Sequence, residues 1–171
     1  GLADRDTGAP VRPTTRFRIA SVSKPFTAVA ILKLVEQGKV GIDDPVLPLL
    51  GRPAKDPRCA RITIRHCLQH RGGWDRAISG DPIGQMGEIF RTTGIPPPYD
   101  PAQIVRYMLG RPLDFEPGAR MAYSNLGYLV LGRVIAKVAG VDYEDFVRTA
   151  VLKPLGLNSL KLGKATWKDR E

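Results

Sequence analysis

The stretch RFRIASVSKPFTAVAILKLVEQGK, residues 16–39, decides how this chain is read. Ser21, Ser23 and Lys24 stand at the mouth of an apolar run that predicts a helix over residues 22–37, with Gly38 as its stop. Pro25 is tolerated because backbone donors of a first helical turn have no intrahelical partners. Phe26, Val29, Ile31, Leu32, Leu34 and Val35 spread round much of the circumference, which predicts burial on several sides. Ser21 and Lys24 are spaced S-x-x-K, so on a helix they face the same way with Cβ atoms about 5–6 Å apart. Such a pair is either a nucleophile with its own activating amine or the polar cap of a buried helix. Serine attacks poorly until a base takes its proton, and a helix N-terminus aims backbone N–H groups at developing oxyanion charge. Ser23 reads as a cap or structural hydroxyl.

Outward from this helix the chain alternates loops with short apolar segments. GLADRDTGAPVRPTTRFRIAS predicts a β-hairpin over about residues 1–21, and an isolated pair of strands is marginal in water. GIDDPVLPLLGRPAKDPR, residues 41–58, is punctuated by Pro and Gly and reads as loop, while ITIRHCLQH, residues 62–70, reads as a short helix. Residues 71–100 lack periodicity, and a segment that long without clear structure is usually functional or mobile. Helices are predicted in DPAQIVRYMLG (100–110), LGYLVLGRVIAKVAG (126–140) and DYEDFVRTAVLKPLGL (142–157), the last with Asp142 as N-cap. The expectation is one partial domain: a hairpin, a helix-rich region over about 22–160, and a polar tail over 161–171 that frays.

Composition narrows the class. With 171 residues, 43% hydrophobic and 25% charged, the chain has the make-up of an ordinary globular domain. No apolar run is long enough to cross a bilayer as a helix. The net charge of +9 invites a nucleic-acid partner, but the basic residues are scattered and do not interleave with aromatics as a stacking platform would. A solvated basic surface is expected instead. Cys59 and Cys67 are the only cysteines and read as unpaired thiols without metal-ligand company. Nothing specifies an oligomeric state, and with no ligand cluster visible no metal or organic cofactor is expected.

Tyr123-Ser124-Asn125 supplies a second motif, Y-x-N. Tyr123 can accept or return a proton, given a nearby cation such as Lys24 to bring its ordinary pKa of about 10 toward neutrality. The bland alternative is a loop tyrosine followed by an N-capping Asn125. Five serines with nine lysines make a chance S-x-x-K match common, roughly one in four, whereas both motifs together arise about once in sixty.

With those motifs in place, the chain resembles the serine β-lactamase and penicillin-binding-protein superfamily. S-x-x-K is a known signature of that superfamily. The resemblance is to the class C β-lactamase-like branch, which includes esterases and D-amino-acid peptidases. FRIASVSKPFTA, GKVGIDDPV, ITIRHCLQHRGG, EPGARMAYSNLGYLVLGRVIAKVAG and VLKPLGL fall in family order along nearly the whole chain. It implies an α+β fold of the β-lactamase/transpeptidase type, here mainly its helical part plus the hairpin, with most of the antiparallel sheet missing. It also implies Ser21 as acylated nucleophile, Lys24 as activating amine, Tyr123 as proton shuttle and Asn125 as partner of Lys24 and the substrate amide. The implied substrate is a small acyl compound: an ester, a D-amino-acid peptide or a β-lactam. Many members act outside the cytoplasm, so a periplasmic or secreted setting is the implied one, although the sequence itself assigns no compartment. The family's third motif, Lys or His, then Thr or Ser, then Gly, is not matched. Lys161-Leu162-Gly163 lacks the hydroxyl and follows Y-x-N too closely, so the chain is expected to be an internal fragment with little turnover alone. A non-catalytic binding or regulatory protein on the same scaffold is the competing expectation. His70 is expected to be structural, His66 to lie at the surface, and Trp74 and Tyr99 either to line a cleft or simply to pack.

Overall fold

The structure, a computed structural model, describes residues 1–163. Helix α6 (Asn125–Ala139) is the organising element. Leu126, Gly127, Val130, Leu131, Val134 and Ile135 repeat at i, i+1, i+4 and i+5, a stripe wide enough to be buried on more than one side. Five further helices pack on it: α1 (Lys24–Glu36), α2 (Val46–Leu50), α3 (Ile64–Leu68), α5 (Pro101–Leu109) and α7 (Tyr143–Val147). Helix α4 (Met86–Thr93) lies against α5. Gly127 faces α3, where a Cβ would sit in ordinary van der Waals contact, 3.4 Å from the Cys67 carbonyl oxygen.

Local chemistry explains the helix starts. Asp100 accepts from the Gln103 amide and Gln103 accepts from the Asp100 amide, both at 2.8 Å, and Pro101 occupies the first turn of α5. Thr63 and His66 make the equivalent reciprocal pair at the start of α3. In α1, Thr27, Ala30, Ile31 and Leu34 form the buried face. The buried Thr27 hydroxyl is satisfied by Tyr143 Oη at 2.7 Å, which fastens α1 to α7.

Several expectations need correction. The hairpin over 1–21 reduces to one antiparallel bridge, Leu2 with Pro10, flanked by hydrogen bonds from Ala3 to Ala9 and from Val11 to Gly1. Pro10 and Pro13 bring no amide donor, so a longer ladder there has gaps. Among the described residues there is no strand, only this bridge and one between Pro45 and Thr63. The helix expected over 22–37 begins as a 3-10 turn, Ala20–Ser23, and Val29 and Leu32 on its outer side are exposed. The supposed loop 41–58 holds α2 and the start of a 3-10 turn, Pro57–Arg61. The irregular stretch 71–100 contains a 3-10 turn, Pro82–Gly84, and α4. Helix α4 sets Met86, Ile89 and Phe90 at i, i+3 and i+4, but it is only 8 residues long and buries only Ile89, so the repeat is too short to stand out between the flanking Gly and Pro residues. Asp142 stands at the α7 N-cap without a side-chain capping bond, and the helix continues through a π turn over Arg148–Leu152. Residues 164–171, most of the expected tail, lie outside the described residues. Cys59 and Cys67 are both unpaired and buried.

Candidate active site

Ser21 sits in the 3-10 turn that feeds α1, and Lys24 is the first residue of that helix. In a 3-10 turn residues i and i+3 eclipse each other, a tighter alignment than an α-helix provides. Lys24 Nζ accordingly donates to Ser21 Oγ at 3.1 Å. The turn is entered through Ala20, a non-glycine residue at φ 44°, in the left-handed region that costs about 1–3 kcal/mol and recurs at functional sites. Ser23 Oγ donates to the Ala20 carbonyl at 2.6 Å and braces the turn. Ser21 itself is exposed, while Lys24 is half-buried.

Tyr123 arrives from the loop before α6. Its hydroxyl lies 2.6 Å from Ser21 Oγ. Lys24 Nζ is 4.9 Å from the Tyr123 ring centroid and 5.6 Å from that of Tyr128. The Arg76 guanidinium carbon stands 4.8 Å over the Tyr123 ring. Lys24 is the first cause, and the Ser21 hydrogen bond the second, that hold the Tyr123 phenol below its ordinary pKa; Arg76 adds to them. Asn125 opens α6, and its Oδ1 accepts from Lys24 Nζ at 2.7 Å. On the other side its Nδ2 donates to Asp81 Oδ2 at 2.6 Å. Ser124, not Asn125, occupies the N-cap position, so the Asn125 side chain is free for these two bonds. The four residues singled out by the two motifs therefore meet at one place.

The loop carrying Tyr123 is held by the His-Arg-Gly-Gly stretch at 70–73. The amides of Asp114, Gly118 and Ala122 donate to the carbonyls of Gly73, Arg71 and His70 at 2.9, 2.8 and 2.8 Å. Gly73 has φ 101°, and a Cβ on it would stand 2.8 Å from the Phe115 carbonyl oxygen, so this close pairing demands glycine. His70 is structural in its contacts. Its Nδ1 accepts from the Ser124 amide at 3.2 Å, and its ring centroid is 4.6 Å from that of Tyr123. Burial lowers the His70 pKa, and the Lys24 charge acts in the same direction. Among the other residues singled out, His66 is half-buried rather than at the surface, because its ring completes the α3 cap. Trp74 is buried in the core, and Tyr99 donates to the Ile95 carbonyl. Leu162, in the imperfect third motif, is exposed and its amide donates to Glu144.

Sequence reading missed Asp81 and Arg76. Both lie in the aperiodic segment, where the only signal was that long irregular stretches tend to be functional. No group of three or more His, Cys, Asp or Glu among the described residues is placed to hold a metal.

The beta-lactamase family matches residues 1–170. The chain belongs to the beta-lactamase family. Among its relatives is the esterase EstB of Burkholderia gladioli, 35% identical over 92% of this chain and 41% of its own length. The crystal structure of a penicillin-binding protein from Bacillus halodurans superposes with a TM-score of 0.78 at 29% identity, over 98% of this chain and 51% of that one. A D-amino acid amidase from Ochrobactrum anthropi superposes at 0.71 with 30% identity, over 91% of this chain and 40% of its own. The chain thus spans less than half the length of EstB. The β-lactamase-like fold expected from the motifs is the fold of these neighbours, represented among the described residues by helices with almost no strand.

Proposed function

We propose that this chain carries the acyl-transfer centre of a serine hydrolase, with Ser21 as nucleophile, Lys24 and Tyr123 as its activating groups, and Asn125 binding Lys24 and the substrate amide. One observation carries the reading: Ser21 Oγ lies within hydrogen-bond reach of both Tyr123 Oη, at 2.6 Å, and Lys24 Nζ, at 3.1 Å. Lys24 is anchored by Asn125 beside the phenol, where its hydrogen bond and charge favour the phenolate form of Tyr123. The phenolate takes the Ser21 proton as Oγ bonds to the substrate carbonyl carbon, and the carbonyl π pair moves onto oxygen. Collapse of that tetrahedral species expels the leaving group, which receives the proton from Tyr123. Water then repeats the sequence on the acyl-enzyme and regenerates Ser21. The positive end of α1 favours the transient oxyanion.

The names of the relatives, an esterase, a penicillin-binding protein and a D-amino acid amidase, support a small ester, amide or β-lactam carbonyl as substrate class. The reading includes weak or no turnover by these 171 residues alone, since no Lys/His-Thr/Ser-Gly motif follows Tyr123-Ser124-Asn125 within them. The test is to treat the protein, expressed at the full length its gene encodes, with a serine-reactive phosphonate and with a labelled penicillin, and to map adducts by mass spectrometry. A phosphonate adduct on Ser21 that disappears in Ser21→Ala is expected. Absence of any adduct, or an unchanged adduct in Ser21→Ala, would sink the enzyme reading in favour of a binding or regulatory role.

A further inference from the structure

We propose that Asp81 is a positioning residue for this chemistry, acting on Lys24 through the amide of Asn125. The inference rests on the acyl-transfer reading above and adds a carboxylate that neither motif contains.

The argument begins with the polarity of an amide. Asn125 presents one acceptor oxygen and one donor nitrogen on a side chain that can turn over. Lys24, an ammonium, can only donate, and it meets Asn125 Oδ1 at 2.7 Å. Asp81, a carboxylate, can only accept, and it meets Asn125 Nδ2 at 2.6 Å. Turning the amide over would set Nδ2 against the ammonium and Oδ1 against the carboxylate, so both contacts would become repulsive. Asp81 thus selects the one orientation in which Asn125 accepts from Lys24. That bond in turn holds Nζ where it reaches Ser21 Oγ at 3.1 Å. Asn125 retains a second Nδ2 proton and a second Oδ1 lone pair for the substrate.

Asp81 is itself held in place. Its Oδ1 accepts from the Ile83 amide at 3.1 Å, capping the 3-10 turn Pro82–Gly84, while the other oxygen faces Asn125. Pro82 is buried, and Gln85 after the turn donates from Nε2 to the Ser79 carbonyl at 2.8 Å. The two carboxylate oxygens therefore divide two tasks, one structural and one directed at the site. The aperiodic segment is joined to the reacting groups through this side chain.

That division supplies the test. Asp81→Ser keeps a capping oxygen for the Ile83 amide but is too short to reach Asn125. Asp81→Asn keeps the reach of the original but has a single acceptor oxygen for two donors, the Ile83 amide and Asn125 Nδ2. The rate at which a serine-reactive phosphonate modifies Ser21, standing in for acylation, is measured against inhibitor concentration in the protein at the full length its gene encodes. The same series is made in an Asn125→Ala background, with thermal melts alongside. Asp81→Ser is expected to lower the limiting acylation rate about 10- to 100-fold, with little change in the half-saturating concentration. Asp81→Asn should also slow acylation, because the one oxygen that caps the Ile83 amide leaves an NH2 group facing Asn125 Nδ2. In the Asn125→Ala background Asp81→Ser should add no further loss, because the residue through which it acts is gone. A wild-type rate in Asp81→Ser overturns the proposal, as does the same fold-loss with and without Asn125, which marks a merely structural residue. Failure of wild-type Ser21 to acylate at all instead overturns the acyl-transfer reading, and this proposal with it.

Discussion

Replacing Gly73 by alanine tests whether the 70–73 stretch is the template for the Tyr123 loop. Gly73 has φ 101°, a conformation that side chains rarely adopt and that costs about 1–3 kcal/mol. The new Cβ would also stand 2.8 Å from the Phe115 carbonyl oxygen and 3.0 Å from Leu113 Cδ1. The leucine can give way by a rotamer change. The carbonyl is backbone, and Gly73 shares two hydrogen bonds with that strand of chain, from Asp114 and Phe115 to its own oxygen. Strain and overpacking together give an expected loss of about 2–4 kcal/mol. For a chain of this size each kcal/mol moves Tm by about 2–4 °C, so the melt should fall by roughly 4–16 °C. Circular dichroism melts read this directly, and phosphonate labelling of Ser21 should slow as the loop bearing Tyr123 shifts. Gly140→Ala is the control: it also has positive φ, at 71°, but open space around the added Cβ. It should lose only about 1 kcal/mol and leave labelling unchanged. A Gly73→Ala protein that melts within a degree of the parent and labels at the parent rate would refute the reasoning.

Three further outcomes follow from the geometry. Tyr123 has a depressed pKa, so its phenolate should populate at lower pH than free tyrosine, and acylation should rise with pH through that lowered value. Lys24→Met removes the principal cause and should return the Tyr123 phenolate absorbance titration toward about 10; an unmoved titration would dismiss Lys24 as that cause. Asp56 is buried, pairs with Arg58 at 2.6 Å and accepts from the Leu113 amide at 2.9 Å, so Asp56→Ala should destabilise by about 3–5 kcal/mol in urea unfolding. Arg58 holds that carboxyl well below the usual carboxylate range, so its contribution should be intact above about pH 4 and be lost only as acid titrates the folded protein below that. Burial pushes the thiols of Cys59 and Cys67 up to about 11 and about 12. Both should resist iodoacetamide in the native protein and react after unfolding in urea; rapid native labelling would contradict their burial.

The parts of this architecture legible in the sequence are those with strong local signals. Helices α5 and α6 announce themselves by apolar spacing, and α5 also by Asp100, Pro101 and Gln103. Helix α4 was hidden because its Met86, Ile89, Phe90 repeat spans a single turn in a Gly- and Pro-rich stretch. The opening residues misled because alternating composition suggests strands whether or not a neighbour is present to pair with them. In α1 the spread of apolar residues predicted burial on several sides, yet exposure depends on what lies opposite, and Val29 and Leu32 remain exposed among the described residues.

By itself the sequence determined the pairing of Ser21 with Lys24, because three residues along one turn are neighbours under local geometry alone. It also determined which residue types wait in Tyr123-Ser124-Asn125. Only the tertiary structure decided that these two motifs meet, since Ser21 and Tyr123 lie 102 residues apart and are joined by the packing of α1 on α6 and the backbone pairing of residues 70–73 with 114–122. It alone brought in Asp81, whose contact with Asn125 spans 44 residues from a segment without periodicity. Local spacing carries information over one helical turn; a hydrogen bond between distant segments depends on every element packed between them.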